Sequence, residues 1–118
     1  MVGQDLRERT KNLALRIVRM YSALPKTAVA QVLGKQLLRS GTSVGANYRE
    51  AYRARSDAEF VAKMGLCRQE LEESAYWLEL LAESDTIPAN KLSALQDEVD
   101  QLTAIFTTII KKRLQSNS

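Results

Sequence analysis

Apolar residues recur every three or four positions along nearly the whole chain, a spacing that places them on one face of an α-helix. Four such segments follow one another, and the third has the cleanest register. Its face also includes one cysteine and one serine: Phe60, Met64, Cys67, Leu71, Ser74, Leu78 and Leu81. The other faces run from Leu6 to Leu24, from Val29 to Ala51 and from Leu92 to Ile109. No stretch has the period of two that a half-buried β-strand requires, so the chain is predicted to be all-α.

Helix-breaking and capping residues separate the four segments. Pro25 ends the first, and Thr27 can cap the second. Ser56 precedes the third with Glu59 three residues later, the spacing of a capping box in which each side chain satisfies a free backbone N–H. Pro88 stands in the first turn of the fourth segment, a position that proline favours. The predicted helices therefore cover about residues 5–24, 27–54, 57–84 and 88–114 of a single domain, residues 1–118.

Short connections between these helices predict how they are arranged. A turn of a few residues only returns the chain to a neighbouring position, so the four helices must run up, down, up and down as an antiparallel bundle. The second and third helices each approach about 40 Å in length, at a rise of 1.5 Å per residue. Such long helices beside a shorter first helix leave apolar and small-residue surface uncovered, which favours self-association.

Composition narrows the class of protein. The 118 residues are 45% hydrophobic and 26% charged, as is typical of a globular domain. We expect neither a signal peptide nor a membrane-spanning segment, because no apolar run is long enough. The single cysteine, Cys67, cannot form an internal disulfide, which favours a reducing, cytoplasmic location.

Enzyme chemistry has little support in the sequence. The chain has no histidine, no phosphate-binding glycine loop and no nucleophile with an evident activating partner, so we predict no enzyme activity and no catalytic residue. Cys67 is interpreted as a buried small hydrophobe. Glu70 and Glu73 share a helix face but lack the histidines that accompany glutamates in di-iron bundles. The sequence therefore predicts no metal site and no cofactor.

Charge is distributed unevenly between the two halves of the chain. Residues 1–55 contain eleven Lys and Arg against three acids, a net charge of +8, whereas residues 56–118 have a net charge of −5. Two interpretations stay open. The basic half can bind an anionic partner such as nucleic acid, or the two halves can pair with each other within one subunit or between subunits.

Small and polar residues occupy two adjacent stripes of the second helix. Gly34, Gly41 and Gly45 lie on nearly one face, and each costs about 0.5–1 kcal/mol of helix stability relative to alanine, so close packing of another helix is expected to compensate. A neighbouring stripe comprises Ser40, Ser43, Asn47 and Glu50. It is either a solvated face or a hydrogen-bonded polar network that sets the register between helices.

The two middle segments also contain a characteristic series of motifs. They are Arg39-Ser-Gly-Thr-Ser-Val-Gly-Ala-Asn-Tyr-Arg-Glu-Ala51, Ala54-Arg-Ser56, Glu59-Phe60, Lys63 and Tyr76-Trp-Leu-Glu-Leu-Leu81. With these motifs the chain resembles the bacterial four-helix-bundle family related to proteins encoded in ribosomal RNA intervening sequences. The resemblance implies a left-handed antiparallel bundle that assembles as a ring-like homopentamer around a central channel. Most members have no assigned activity. A related branch contains basic accessory proteins of diversity-generating retroelements, which bind nucleic acid and a reverse transcriptase.

Basic and aromatic residues supply the candidate contact sites. The candidate nucleic-acid-binding residues are Arg39, Arg49, Arg53, Arg55 and Lys63, and the first helix adds a second basic group of Arg7, Arg9, Lys11, Arg16 and Arg19. Repeated around a ring, such residues would concentrate phosphate contacts with little base specificity. Arg39 has an alternative role, which is to pair with the glutamates of the third helix. Tyr48 and Tyr52 either stack on bases or pack within and between subunits, and Trp77 belongs to the core or to an interface.

Two functions from different classes follow. The first is a non-enzymatic homo-oligomer that acts as a scaffold or adaptor for a protein partner. The second is an accessory protein that binds RNA or DNA through its basic half. Surface charge discriminates between them: free arginines between residues 39 and 55 favour nucleic-acid binding, and arginines neutralised by the third helix favour the scaffold.

Overall fold

The computed structural model describes the backbone of residues 2–116 and the side chains of residues 6–116. Within that range the protein is all-α, as predicted, with four helices and no strand. The helices are α1 (Val2–Ser22), α2 (Ala28–Tyr52), α3 (Asp57–Glu83) and α4 (Ala89–Ser116). Residues 1, 117 and 118 of the predicted domain lie outside the described residues. Consecutive helices pack against each other along the chain, whereas α1 and α4 share a smaller contact.

Side-chain caps define where α2 and α3 begin. Thr27 Oγ1 accepts a hydrogen bond from the Ala30 N–H at 3.2 Å, and Ser56 Oγ accepts one from the Glu59 N–H at 3.0 Å. Glu59 reaches back to accept from the backbone N–H of Arg55 at 3.2 Å, one residue before the N–H that a standard capping box uses. These bonds satisfy backbone donors that a helix N-terminus leaves without partners, so the sequence determines both starts locally.

The core follows the apolar faces of the four helices, with a shift of one residue near the start of α2 and near the end of α4. Val29 was expected on the core face of α2 but is 54% exposed, and Ala30 is buried in its place. Near the end of α4, Ile110 is buried and Ile109 only partly so. The inward face of α2 therefore has small residues at Ala30 and Gly34. Because these residues leave space beside α2, the larger side chains of Tyr21 and Leu24 pack there against Gly34.

Glycines of α2 mark the line along which α1 approaches most closely. A Cβ at Gly41 would overlap the Cδ1 atom of Ile17, which is itself fully buried. A Cβ at Gly34 would overlap the side chains of Leu24 and Tyr21, and one at Gly45 would lie 3.3 Å from Thr10 Oγ1. A larger residue at Gly34 or Gly41 would therefore push the two helices apart or force α1 side chains from their positions.

A buried pair of serines joins α2 to α3. Ser40 Oγ and Ser74 Oγ lie 2.8 Å apart, and both residues are fully buried. Ser74 Oγ is also 2.8 Å from its own-helix acceptor, the Glu70 carbonyl, while Ser40 Oγ is a longer 3.4 Å from the Leu37 carbonyl. Since each hydroxyl finds a partner in this arrangement, the pair adds no unsatisfied polar group to the core and favours one register between the two helices.

Candidate functional site

Arg39 is held by the acidic residues of α3. Its Nη1 lies 3.2 Å from Glu70 Oε2, and its Nη2 donates to Glu73 Oε1. The hydrogen bond from Arg39 lowers the pKa of Glu73, and the same bond raises the pKa of Arg39. Trp77 Nε1 donates to the same Glu73 oxygen at 3.4 Å. Arg39 therefore has the pairing role that the sequence left open for it, and its charge is largely neutralised within the chain.

Lys63 is paired in the same way with Glu50. Lys63 Nζ donates to Glu50 Oε1 at 2.8 Å, and this bond lowers the pKa of Glu50 and raises that of Lys63. Further ion pairs join Arg9 to Glu98 and Arg113 to Asp57, each at 2.7 Å. Acidic residues of α3 and α4 thus neutralise two cations of the basic half, Arg39 and Arg9, which accounts for part of the charge asymmetry.

Among the basic side chains that make no ion pair within the described part of the chain, four lie together where α1 packs beside α2. Arg7 and Lys11 project from α1, and Arg49 and Arg53 project from α2. We call these four residues the basic cluster. They line two adjoining surface depressions, and Glu8 is the acidic residue that shares one of them.

Helical spacing and the close approach of α1 to α2 together create this cluster. Arg7 and Lys11 are four residues apart, as are Arg49 and Arg53, so each pair lies along one helix face. Gly45 permits the backbone of α2 to pack beside Thr10, and this contact brings the two pairs to the same end of the bundle. Arg49 and Arg53 were predicted as binding residues. Arg7 and Lys11 were noted only as part of a separate group, because spacing along one helix does not reveal which neighbour it meets.

The two tyrosines of α2 have different environments. Tyr48 is only 4% exposed and packs edge-on against Phe106, with 5.7 Å between ring centroids. Burial raises the pKa of its hydroxyl. Tyr52 is 48% exposed, and the Arg7 guanidinium lies over its ring at 4.9 Å from the centroid. Tyr48 therefore belongs to the core, and Tyr52 extends the surface of the basic cluster.

A larger cavity opens next to the basic cluster, at the turn between α2 and α3. We call it the end cavity; its volume is about 650 Å³. Tyr52 and Arg55 line it together with apolar residues of all four helices, including Leu6, Phe60 and Ile109. Tyr52 lines both this cavity and the depression that Arg7, Arg49 and Arg53 line.

A model of the 23S rRNA-intervening sequence protein family matches residues 4–108, which is most of the chain. The chain belongs to this family. The resemblance drawn from the motifs of the two middle segments is thereby confirmed.

One solved structure has a closely similar fold. It is a crystal structure of a protein with unknown function from the S23 ribosomal protein family of Bacteroides thetaiotaomicron VPI-5482. The two chains are 35% identical, and the match covers 94% of this chain and 99% of the other with a TM-score of 0.88. No curated protein matches this member of the 23S rRNA-intervening sequence protein family.

The polar stripe of this family member divides into separate local contacts. Ser43 Oγ donates to the Arg39 carbonyl at 2.6 Å, and Asn47 Nδ2 donates to the Ser43 carbonyl at 3.0 Å, so both bonds stay within α2. Of the four predicted stripe residues, Ser40 reaches α3 through a buried hydrogen bond, and Glu50 reaches it through the exposed pair with Lys63. The stripe thus contributes one buried interhelical bond to Ser74 and one surface ion pair.

Cys67 is buried and Trp77 is partly buried, and both are held by packing against the core. Cys67 is buried, and desolvation raises the pKa of its thiol to about 12, so the thiol stays protonated and unreactive at neutral pH. Trp77 is partly buried against the core and contacts the exposed Tyr76 with 5.2 Å between ring centroids.

Among the residues that the structure describes, no cluster of three or more His, Cys, Asp or Glu is placed to hold a metal ion. None of the described helices has an apolar stretch long enough to cross a bilayer.

Proposed function

We propose that this member of the 23S rRNA-intervening sequence protein family is a non-enzymatic, cytoplasmic accessory protein that binds nucleic acid through the basic cluster. The observation that carries the proposal is the division of charge: Arg39 and Lys63 are neutralised by acidic partners, whereas Arg7, Lys11 and the Arg49–Arg53 pair are not. The family's name refers to 23S rRNA intervening sequences, which favours RNA as the nucleic acid.

Binding at such a surface is expected to act mainly on phosphates. Guanidinium groups hydrogen-bond phosphate oxygens through a planar fork, and the four side chains are spread over two neighbouring helices. Phosphate contacts position a strand without reading its bases, and they release the counterions that screen it. The function proposed is therefore recognition of a nucleic-acid backbone with little dependence on sequence.

Salt dependence provides the direct test. If four cations replace four counterions on a single strand, the logarithm of the association constant should fall with the logarithm of salt concentration with a slope of about −3. Fluorescence anisotropy of a labelled single-stranded RNA, titrated with the full chain across a series of KCl concentrations, measures this slope. Failure to bind RNA at low salt, or binding with a slope near zero, would refute the proposal.

A homo-oligomeric scaffold is the second candidate, and exposed apolar residues favour it. Leu15 and Val18 of α1 and Leu66 of α3 are all 40% or more exposed. Gly65 lies on α3 as well. Apart from the backbone of its own helix, no atom lies within 4 Å of the position that a Cβ would take, so nothing in the subunit compensates for the cost of this glycine to the helix. Contact with a second copy would cover these residues, and a pentameric ring is the assembly that the family resemblance implies.

The arrangement proposed for each subunit is an antiparallel, left-handed, up-down-up-down bundle. Contacts spaced along α1 and α2 support opposite directions, since Thr10 meets Gly45 whereas Tyr21 meets Gly34. Light scattering coupled to size-exclusion chromatography should give the mass of about five subunits for a closed ring, since ring closure fixes the subunit number. A mass of one subunit at all protein concentrations would eliminate the scaffold.

A further inference from the structure

The end cavity has the chemistry of a site for a flat aromatic group. Its wall contains the rings of Tyr48, Tyr52 and Phe60, with Met64 and Ile109 adding apolar surface. Its volume of about 650 Å³ falls within the range typical of small-molecule sites. Aromatic walls favour a ring that can stack or pack edge-on, as Tyr48 already does against Phe106.

Two cationic side chains, Arg55 and Arg113, also line this cavity. Arg113 is fixed there, because it pairs with Asp57 at 2.7 Å and its guanidinium lies 4.0 Å from the centroid of the Phe60 ring. The Arg55 side chain makes no ion pair within the described residues, since its bond to Glu59 comes from its backbone N–H. An occupant with an aromatic body and a negatively charged neighbour is therefore complementary to the aromatic and cationic side chains that line the cavity.

Tyr52 links the end cavity to the basic cluster. The same side chain lines the cavity and lines a depression with Arg7, Arg49 and Arg53. A strand whose phosphates contact these three arginines would pass directly beside the cavity opening. In a nucleic-acid strand each phosphate is joined through a sugar to a base. The base is flat, aromatic and polar at its edge.

We propose that the end cavity receives an unpaired base of a nucleic-acid strand whose phosphates lie on the basic cluster. This inference rests on the proposed function and adds a preference to it. Bases in a duplex are stacked and paired and cannot enter the cavity without an unpairing cost, whereas bases of a single strand are available. The protein should therefore bind single strands more tightly than duplexes of the same length.

Three probes of equal length separate base binding from phosphate binding. They are a single-stranded RNA of about 12 nucleotides, within the site sizes of single-strand-binding domains, its duplex, and an abasic strand with the same phosphates. Anisotropy titrations with the full wild-type chain should give at least about fivefold tighter binding of the single strand than of the abasic strand, because stacking of one base contributes at least that factor. The duplex should bind with an affinity closer to that of the abasic strand.

A matched pair of tyrosine variants locates the effect. Tyr52→Ala should lower the affinity for the single strand by at least about fivefold and leave duplex binding nearly unchanged. Tyr76→Ala removes a tyrosine of similar exposure, 53% against 48%, that lines neither the cavity nor the cluster, and it should change neither affinity. Thermal unfolding of both variants checks that they fold.

The outcomes distinguish this inference from the proposed function beneath it. Equal affinities for the single and abasic strands, or an equal loss of single-strand and duplex binding in Tyr52→Ala, would overturn the base site and leave phosphate binding intact. Absence of binding to all three probes at low salt would remove both.

Discussion

Reversing two charges of the basic cluster is expected to lower the affinity for single-stranded RNA by about 100-fold at low salt, because two of four phosphate contacts are lost and two repulsive charges replace them. The variant is Arg49→Glu with Arg53→Glu. Both side chains are exposed and make no ion pair within the described residues, so the substitution breaks no ion pair of the fold. The measurement is an anisotropy titration at two salt concentrations.

The control changes net charge equally at another place. Lys26→Glu with Lys35→Glu removes two exposed cations from the connection between α1 and α2 and from the first half of α2, away from the cluster. If binding depends only on overall charge, the two double variants will lose the same affinity, and the assignment of the site to the basic cluster will be wrong. If it depends on the cluster, the lysine variant will lose only a small fraction of its affinity, and the slope with salt will fall only in the arginine variant.

Local sequence signals predicted the helices well because each signal acts within a few residues. Thr27 and Ser56 cap their helices through hydrogen bonds to a backbone N–H three residues later, and no distant residue takes part. The apolar face of α3 is likewise a property of one helix, and Met64, Cys67 and Leu71 are all fully buried along it. The all-α class and the family follow from such short-range patterns.

Contacts between helices could not be predicted from the same patterns. Four arginines between residues 39 and 55 look equivalent in the sequence, yet Arg39 meets Glu70 and Glu73 while Arg49 and Arg53 face outward beside α1. Which arginine finds an acid depends on the register between α2 and α3, and that register involves packing and the buried bond between Ser40 and Ser74. The candidate site therefore required the three-dimensional arrangement.

The same dependence explains why Val29 was expected in the core. Spacing alone assigns a large apolar residue to the buried face, since burial of such a side chain contributes about 1.5–3 kcal/mol. In α2 the close approach of α1 takes precedence, and Ala30 with Gly34 occupies the buried position. The α1–α2 contact determines both this exchange and the position of the basic cluster, because Thr10 beside Gly45 places Arg7 and Lys11 near Arg49.

Substitution of Gly41 by alanine is expected to measure how much the fold depends on that close approach. Alanine gains up to about 1 kcal/mol of helix stability over glycine at any interior position. At Gly41 its Cβ would overlap Ile17 Cδ1 in a fully buried contact, and such overpacking costs about 1–3 kcal/mol. Gly65→Ala receives the same gain with open space around its Cβ. The free energy of unfolding of Gly41→Ala should therefore lie about 1–3 kcal/mol below that of Gly65→Ala.

A third substitution identifies the atom responsible for this cost. Ile17→Val removes the Cδ1 methyl group that the new Cβ would overlap, and alone it should cost about 0.5–1.5 kcal/mol of stability. In the Gly41→Ala background it should cost less or should stabilise, because the removed methyl group is the one in conflict. The wild type, the two single variants and the double variant form a double-mutant cycle. Urea unfolding gives the free energy of unfolding of each of the four proteins, in solutions dilute enough that the midpoint no longer depends on protein concentration. Additive effects of the two substitutions, or equal stabilities of Gly41→Ala and Gly65→Ala, would show that Ile17 does not limit the approach of α1 to α2.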